Sequence, residues 1–410
     1  MARPAARRPL FSAARAHPLA GRTILQIIPE LEAGGAERTT VDVAAGLVNV
    51  GARALVASEG GRLVGELQAK GGIWASFPAA SKNPLAMAVN VRRLARLCVE
   101  EGVALVHARS RAPAWVALGA TQRLRLPFVT TYHGRYPARS KIKALYNSVM
   151  ARGDAVIANS RFTAEHILSV CPQASDRIRV IHRGTDLSVF APAAVAPERV
   201  EAVRTSWRVA PHERVVLLAG RLTALKGQKV FIEAAAQLKA AGLNDVAFVL
   251  AGDHQGRDSY VRDLDALIAA RGLAGVVRRV GHCSDMPAAL LAAAVATMPS
   301  TEPETFGRSA VEAQAMGTPV ITSDLGAVPE TVLAPPQAPP QERTGWRVPA
   351  GDAAALAAAI GTALSLGASA REAMARRART HVERHFSLER MVTDTLDVYM
   401  ALLDGPPHGL

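Results

Sequence analysis

From Thr23 onward, short apolar runs alternate with stretches whose apolar positions recur at helical spacing. Residues 24–28, 54–56, 104–106, 128–130 and 155–157 read as strands, nearly unbroken in Ile, Val, Leu and Ala. Between them 37–47, 89–100 and 141–151 read as helices, the first with Val41, Ala44, Ala45 and Val48 along one side. The rhythm breaks over 191–210, where Pro and Ala crowd 191–197 and mark a connection between domains. It restarts with a strand at 215–219, a helix at 228–240 and a strand at 246–250, and runs on through 287–294, 309–316 and 319–321. Strands apolar on both faces belong to parallel sheets covered by helices. The expected organisation is a basic extension (1–20), a first doubly wound unit (21–195), a second (205–385), and a C-terminal helix and tail (386–410). In such sheets ligands sit at the carboxyl ends of strands, so the loops just after strands hold the chemistry.

Length and composition agree with two cores: the chain has 410 residues, 49% of them hydrophobic and 20% charged. Its three cysteines, Cys98, Cys171 and Cys283, form no CxxC pair and no metal-ligand spacing, as expected of reduced thiols inside a cell. The formal net charge of +13 raises nucleic acid or an anionic membrane as partners. No basic block interleaved with aromatics, zinc finger or RNP-type signature accompanies it, which disfavours nucleic acid. A peripheral contact with an anionic membrane, at its cytoplasmic face, is the remaining expectation. The apolar stretch 353–370 nears spanning length, but it is rich in Ala and Gly and reads as a core helix capped by Asp352. The first twenty residues are Arg-rich and free of acids, as in a disordered extension.

Four loops carry candidate chemistry. In Glu304-Thr305-Phe306-Gly307-Arg308-Ser309-Ala310-Val311-Glu312, a helix is expected from about Gly307 to Gly317. Glu304 then precedes it, Glu312 lies about 7–8 Å along its axis, and the first-turn amides between them suit a phosphate. Carboxylates on either side accept bonds from hydroxyls; the plainer alternative is a dipole-favouring Glu304 and a solvated Glu312. In Gly220–Gly227, Arg221 and Lys226 fall between a strand and a helix, where two cations converge on a diphosphate. The loop lacks the Walker A spacing. Gly34-Gly35 precede the first helix and permit close approach of a phosphate or sugar, although Gly-Gly is often only a turn. His133, alone of the eleven histidines, is singled out by its place just past a strand. No DxD pair stands at a strand end, because Asp263 and Asp265 fall in a helical pattern; a metal-dependent single-sheet transferase is disfavoured.

Together these residues resemble the retaining glycosyltransferases of family 4. The resemblance spans nearly the whole chain and is most specific in the Glu304-x-Phe306-Gly307 … Glu312-Ala313 … Met316-Gly317-Thr318-Pro319 string, that family's Glu-x7-Glu signature. It extends to Asn159-Ser160, Gly184-Thr185-Asp186, Ala251-Gly252-Asp253 and the 326–330 string ending in Glu330. It implies the GT-B fold, an α/β fold of two facing Rossmann-like domains with the C-terminal helix crossing back to the first. It also implies that Arg221 and Lys226 hold the donor diphosphate, Glu312 the ribose and Glu304 the donor sugar's hydroxyls. Phe306, Gly307, Arg308 and Ser309 would line the same donor site, and Gly34 and Gly35 would approach the diphosphate or the acceptor. His133 would face the reacting sugar from the first domain. The implied activity is hexose transfer from a nucleotide-diphosphate sugar, UDP favoured over GDP, to a glycan or lipid-linked acceptor of a cell-surface polysaccharide or lipopolysaccharide. Neither a metal nor a cofactor is expected.

The chain departs from the pattern at Arg183, where the family usually has Asn, and at Arg308, where an apolar residue is common. The Pro-rich stretch 334–341 reads as an inserted surface loop. Two competing activities are a sugar-nucleotide epimerase or phosphorylase of the same fold, and a nucleotide-binding oxidoreductase, the latter disfavoured by the missing GxGxxG.

Overall fold

The computed structural model describes residues 17–32, 34–136 and 140–405. Most of the expected basic extension (1–16) and the end of the tail (406–410) lie outside the described residues. His17–Ala20, assigned by composition to the extension, form a turn that buries Leu19.

The strands are β1 (Thr23–Ile27), β2 (Arg53–Ser58), β3 (Ile73–Ser76), β4 (Val103–Ala108), β5 (Phe128–Tyr132), β6 (Ala155–Ala158), β7 (Ile178–Val180), β8 (Arg214–Ala219), β9 (Val246–Ala251), β10 (Val277–Gly281), β11 (Ala293–Met298), β12 (Val320–Ser323) and β13 (Trp346–Val348). They form two sheets, ordered β3-β2-β1-β4-β5-β6-β7 and β10-β9-β8-β11-β12-β13. Pairing at the centre of each is parallel, β1 with β2 and β4, and β8 with β9 and β11. Both sheets are therefore Rossmann-like, and the order reverses between β1 and β4 and again between β8 and β11. Those reversals are where ligands bind in open α/β sheets.

By compactness the described chain divides into two units, one from Met1–Thr130 with Leu396–Leu410, the other Thr131–Thr395. In the first unit Ile24, Leu25, Ile27, Leu55 and Leu105 fill the core. The last residues of the C-terminal helix Leu388–Asp404 belong to this unit. Its Tyr399 is fully buried, and the phenol oxygen lies 2.6 Å from His107 Nδ1.

In the second unit β8 shows why the strands are apolar throughout. Val216 and Leu218 point into one core with Phe231, Phe248, Leu356 and Ile360, while Val215 and Leu217 point into the other with Val249, Ala310, Ala313 and Val320. The helix Ala353–Leu364 is part of that first core, and Asp352 accepts the Ala355 amide at 2.9 Å as the expected cap. Among the described residues no single helix is long and apolar enough to cross a membrane. Asp263 and Asp265 lie on the helix Asp258–Ala270, paired with Lys229 and Arg279.

Two stretches differ from expectation. The connection over 191–210 contains a helix, Pro197–Ser206, that starts with proline at its first position and buries Val203, with Trp207 buried just past its end. The pattern at 287–294 covers a helix, Met286–Ala292, that runs directly into β11, whose Ala-rich sequence gives a weak strand signal.

On the helix Ala368–His385, His381 packs 5.2 Å from Phe386 and 5.1 Å from His385. Burial, and then the neighbouring His385, push its imidazole down to about 4. The unfolded chain protonates this group near 6.5, so between pH 6.5 and about 4 the unfolded state binds more protons. Stability is therefore expected to fall as pH drops through that window. Thermal melts across it should show a falling Tm, with a shallower slope in His381→Gln; equal slopes would place the acid lability elsewhere.

Candidate active site

The second unit brings its strand exits together through the main chain. The loop after β8 runs from Gly220 through a single turn, Ala224–Lys226, to Gly227, which has φ +74° and precedes the helix Gln228–Ala240. Pro299, at the exit of β11, lays its carbonyl oxygen against Gly227 so closely that a Cβ there would collide with it. The Thr301 amide donates to Leu225 O at 2.9 Å, and the Gln228 side chain donates to Arg221 O at the same distance. The exit of β12 joins in: the Ala327 amide donates to Glu304 O at 2.8 Å.

This frame fixes side chains. Lys226 Nζ donates to Glu304 Oε1 at 2.5 Å, and Ser300 Oγ donates to the same oxygen at 2.7 Å. Glu304 is thus a bound carboxylate rather than one that only favours a helix dipole. Arg221 is exposed, and its guanidinium makes no hydrogen bond or ion pair among the described residues. Gly307, at φ +86°, opens the helix Arg308–Ala315, whose first amides lack intrahelical acceptors. Glu312 is only 8% exposed, so it is not a solvated helix face. Burial pushes its carboxyl up, and Arg308, whose Nε donates to Oε1 at 2.7 Å, opposes that rise. Ser309 Oγ donates to the Met298 sulfur at 3.3 Å. The Phe306 ring is buried against Phe386 and His182, at 5.6 and 6.3 Å between centroids, so what it offers a ligand is its main chain.

His133 follows β5 and falls in the same compact unit as the donor-side residues. Its carbonyl oxygen accepts from Thr305 Oγ1 at 3.3 Å, and Arg183 reaches its Nδ1 at 3.4 Å. Gly34 and Gly35 lie in the other unit, at the start of the helix Gly35–Asn49 after β1, with the Glu37 carboxylate folded against Gly34.

Sequence reasoning gave no role to Glu330. Its carboxylate accepts the amides of Arg161 (2.7 Å) and Phe162 (2.8 Å), and lies 3.0 Å from His182 Nε2. Burial alone would raise this carboxyl, but His182 and the two amides outweigh it and hold it below the usual range. Glu330 stands in the 326–330 string, yet its partners lie 148 to 169 residues away, with no local signal. Ser300, whose hydroxyl holds Glu304, likewise carried no signal in the sequence. A cavity of about 370 Å³ beside Trp207, His282 and the Arg199–Asp285 ion pair contains none of the predicted site residues.

A glycosyltransferase of Rickettsia africae has the same fold, with a TM-score of 0.86 and 33% identity over 94% of this chain and all of that one. Residues 33–189 match the family described as Glycosyltransferase Family 4, and residues 200–381 match Glycosyl transferases group 1. The chain belongs to glycosyltransferase family 4. Its fold is accordingly GT-B, with two parallel-sheet Rossmann-like domains and a helical C-terminal region. Anabaena HepE, solved in complex with UDP-glucose, is another structural likeness: TM-score 0.78, 25% identity, covering 92% of this chain and 99% of that one. The Salinispora tropica protein named D-inositol 3-phosphate glycosyltransferase is 31% identical over 314 residues, 72% of this chain but 63% of that relative's length.

The contact between Gly227 and Pro299 gives a stability test. Gly227→Ala combines a left-handed backbone with a collision, and should cost roughly 2–4 kcal/mol. Gly242, at φ +90° with nothing within 4 Å, is the control, because alanine there meets only the backbone strain. Melting should show a clearly larger drop in Tm for Gly227→Ala; equal drops would mean the approach of Pro299 does not matter.

Proposed function

We propose that this family 4 enzyme transfers a hexose, with retention at the anomeric carbon, from a nucleoside-diphosphate sugar to a hydroxyl of a glycan or lipid-linked acceptor. UDP is favoured as the nucleotide, and the product belongs to a cell-surface polysaccharide or lipopolysaccharide. The observation carrying this reading is the convergence of Lys226, Glu304 and the start of the Arg308–Ala315 helix at the exits of β8, β11 and β12. The complex of the similar Anabaena protein with UDP-glucose supports the choice of donor.

On this reading the diphosphate meets Arg221, Lys226 and the helix amides. Glu304 Oε1 is taken by Lys226 and Ser300, which leaves Oε2 for a sugar hydroxyl. Glu312 accepts from the ribose hydroxyls, and His133 lies on the reacting side. The bond from the anomeric carbon to the diphosphate oxygen breaks while the acceptor oxygen attacks from the same face. The acceptor's proton passes to a phosphate oxygen of the leaving group. Cations and amides supply the counter-charge, so no metal is needed for this step. The family assignment sets aside the oxidoreductase alternative. A lipid-linked acceptor would place the enzyme at the cytoplasmic face of the membrane, where a net charge of +13 favours contact with anionic lipid. A second acceptor class, a phosphorylated cyclitol, is favoured by the names of the curated relatives.

The test is transfer from UDP- and GDP-hexoses to lipid-linked glycan and to D-inositol 3-phosphate, with and without EDTA, and with product anomers assigned by NMR. Activity should survive EDTA and give retained configuration. Lys226→Ala and Glu304→Ala should each lower kcat/KM by about 100-fold or more. Near-normal kcat/KM in both variants would overturn the assignment.

A further inference from the structure

Arg308 opens the helix Arg308–Ala315, and helix stability does not explain a cation there. A cation in the first turn opposes the helix dipole, and Arg preceding Glu by four residues is the poorer order for such a pair. An exposed pair of this kind contributes little to stability. The geometry here is different. The Arg308 side chain is 45% exposed, but that of Glu312 is only 11% exposed. The guanidinium therefore lies over a carboxylate that is otherwise withdrawn from water. Among the described residues, Arg308 is also the one group that counters the burial of Glu312. An ionised carboxylate in that position is costly unless paired. Its Oε1 is held by Arg308 Nε at 2.7 Å, and no described residue bonds Oε2.

We propose that Arg308 is a positioning residue for the donor: its guanidinium fixes the Glu312 carboxylate so that Oε2 accepts the ribose hydroxyls. The inference rests on the proposed ribose role of Glu312. It gives Arg308 no direct contact with the donor, so its effect is confined to recognition of the ribose and leaves the diphosphate and the reacting sugar alone.

The experiment compares binding of UDP and GDP with that of their 2′,3′-dideoxy forms by calorimetry, in the wild type, Arg308→Leu and Arg308→Lys. Transfer kinetics and melts accompany the binding. The wild type should prefer the ribose form by about tenfold or more, the worth of hydrogen bonds to a charged acceptor. In Arg308→Leu that preference should shrink to within about threefold, with KM for the donor rising about tenfold and kcat within about twofold. Arg308→Lys should recover much of the preference. A wild type indifferent to the ribose hydroxyls would remove the ribose role of Glu312, and this proposal with it. A wild type that prefers ribose, with the full preference kept in a folded Arg308→Leu, would overturn the Arg308 role alone. Equal weakening of ribose and dideoxy ligands would also overturn it, because Arg308 would then act on the diphosphate or base directly. Should Arg308→Leu not fold, Arg308→Gln carries the same comparison: a preference reduced to within about threefold supports the proposal, and a full preference overturns it.

Discussion

The site depends on a main-chain constraint, the close approach of the exits of β8, β11 and β12. Pro299 against Gly227, Thr301 on Leu225 and Ala327 on Glu304 are backbone contacts between three separate loops. The Lys226–Glu304 pair could not create that arrangement by itself. With side chains about a fifth exposed, it gains Coulomb energy but also loses hydration, and such pairs contribute little net stability. The backbone brings the loops together first, and the ion pair then fixes side-chain direction within a frame that already exists. Glu304 is consequently held at both ends, by Ala327 at its carbonyl and by Lys226 and Ser300 at its carboxylate.

Three glutamates in this unit share a residue type and differ in chemistry because their neighbours differ. Glu330 receives two amides and a histidine, and the sum holds its carboxyl down. It joins the start of the helix Arg161–Val170 to the segment after β12. Glu312 is pushed up by burial, with a single arginine in opposition. Glu304 has one carboxylate oxygen committed to Lys226 and Ser300 and the other open. Only the last two keep a carboxylate oxygen without a partner among the described residues, and the proposed donor roles rest on that difference from Glu330.

The fold was legible where parallel strands are buried on both faces, because their sequences become continuous apolar runs; β1, β5, β8 and β9 fall at the expected places. Short strands such as β3, β7 and β13 were not read, having three or four residues each and partly exposed side chains. β11 was hidden by alanine, which favours helix and gives only a weak strand signal. In the site, Glu304, Glu312, Arg221 and Lys226 were legible because turn and helix periodicity place them locally. The Arg308–Glu312 contact follows from the same four-residue spacing. Glu330, Arg183 and the burial of Phe306 depend on partners far along the chain, and no local pattern encodes a packing partner.

The pairing of Lys226 with Glu304 bears on how the proposed transfer would gain rate rather than only affinity. A lysine waiting unpaired for the diphosphate would bind ground state and transition state nearly alike, which lowers KM without raising kcat. A lysine already shared with Glu304 would give up part of that bond to engage the donor, so its ground-state gain would be small. As the anomeric bond broke, charge would accumulate on the leaving diphosphate and the pull on Lys226 would grow. Glu304 would meanwhile turn its open oxygen to the sugar as positive charge developed there. The two partners would then move toward opposite charges that exist only in the transition state, which is where fixed charges lower a barrier most.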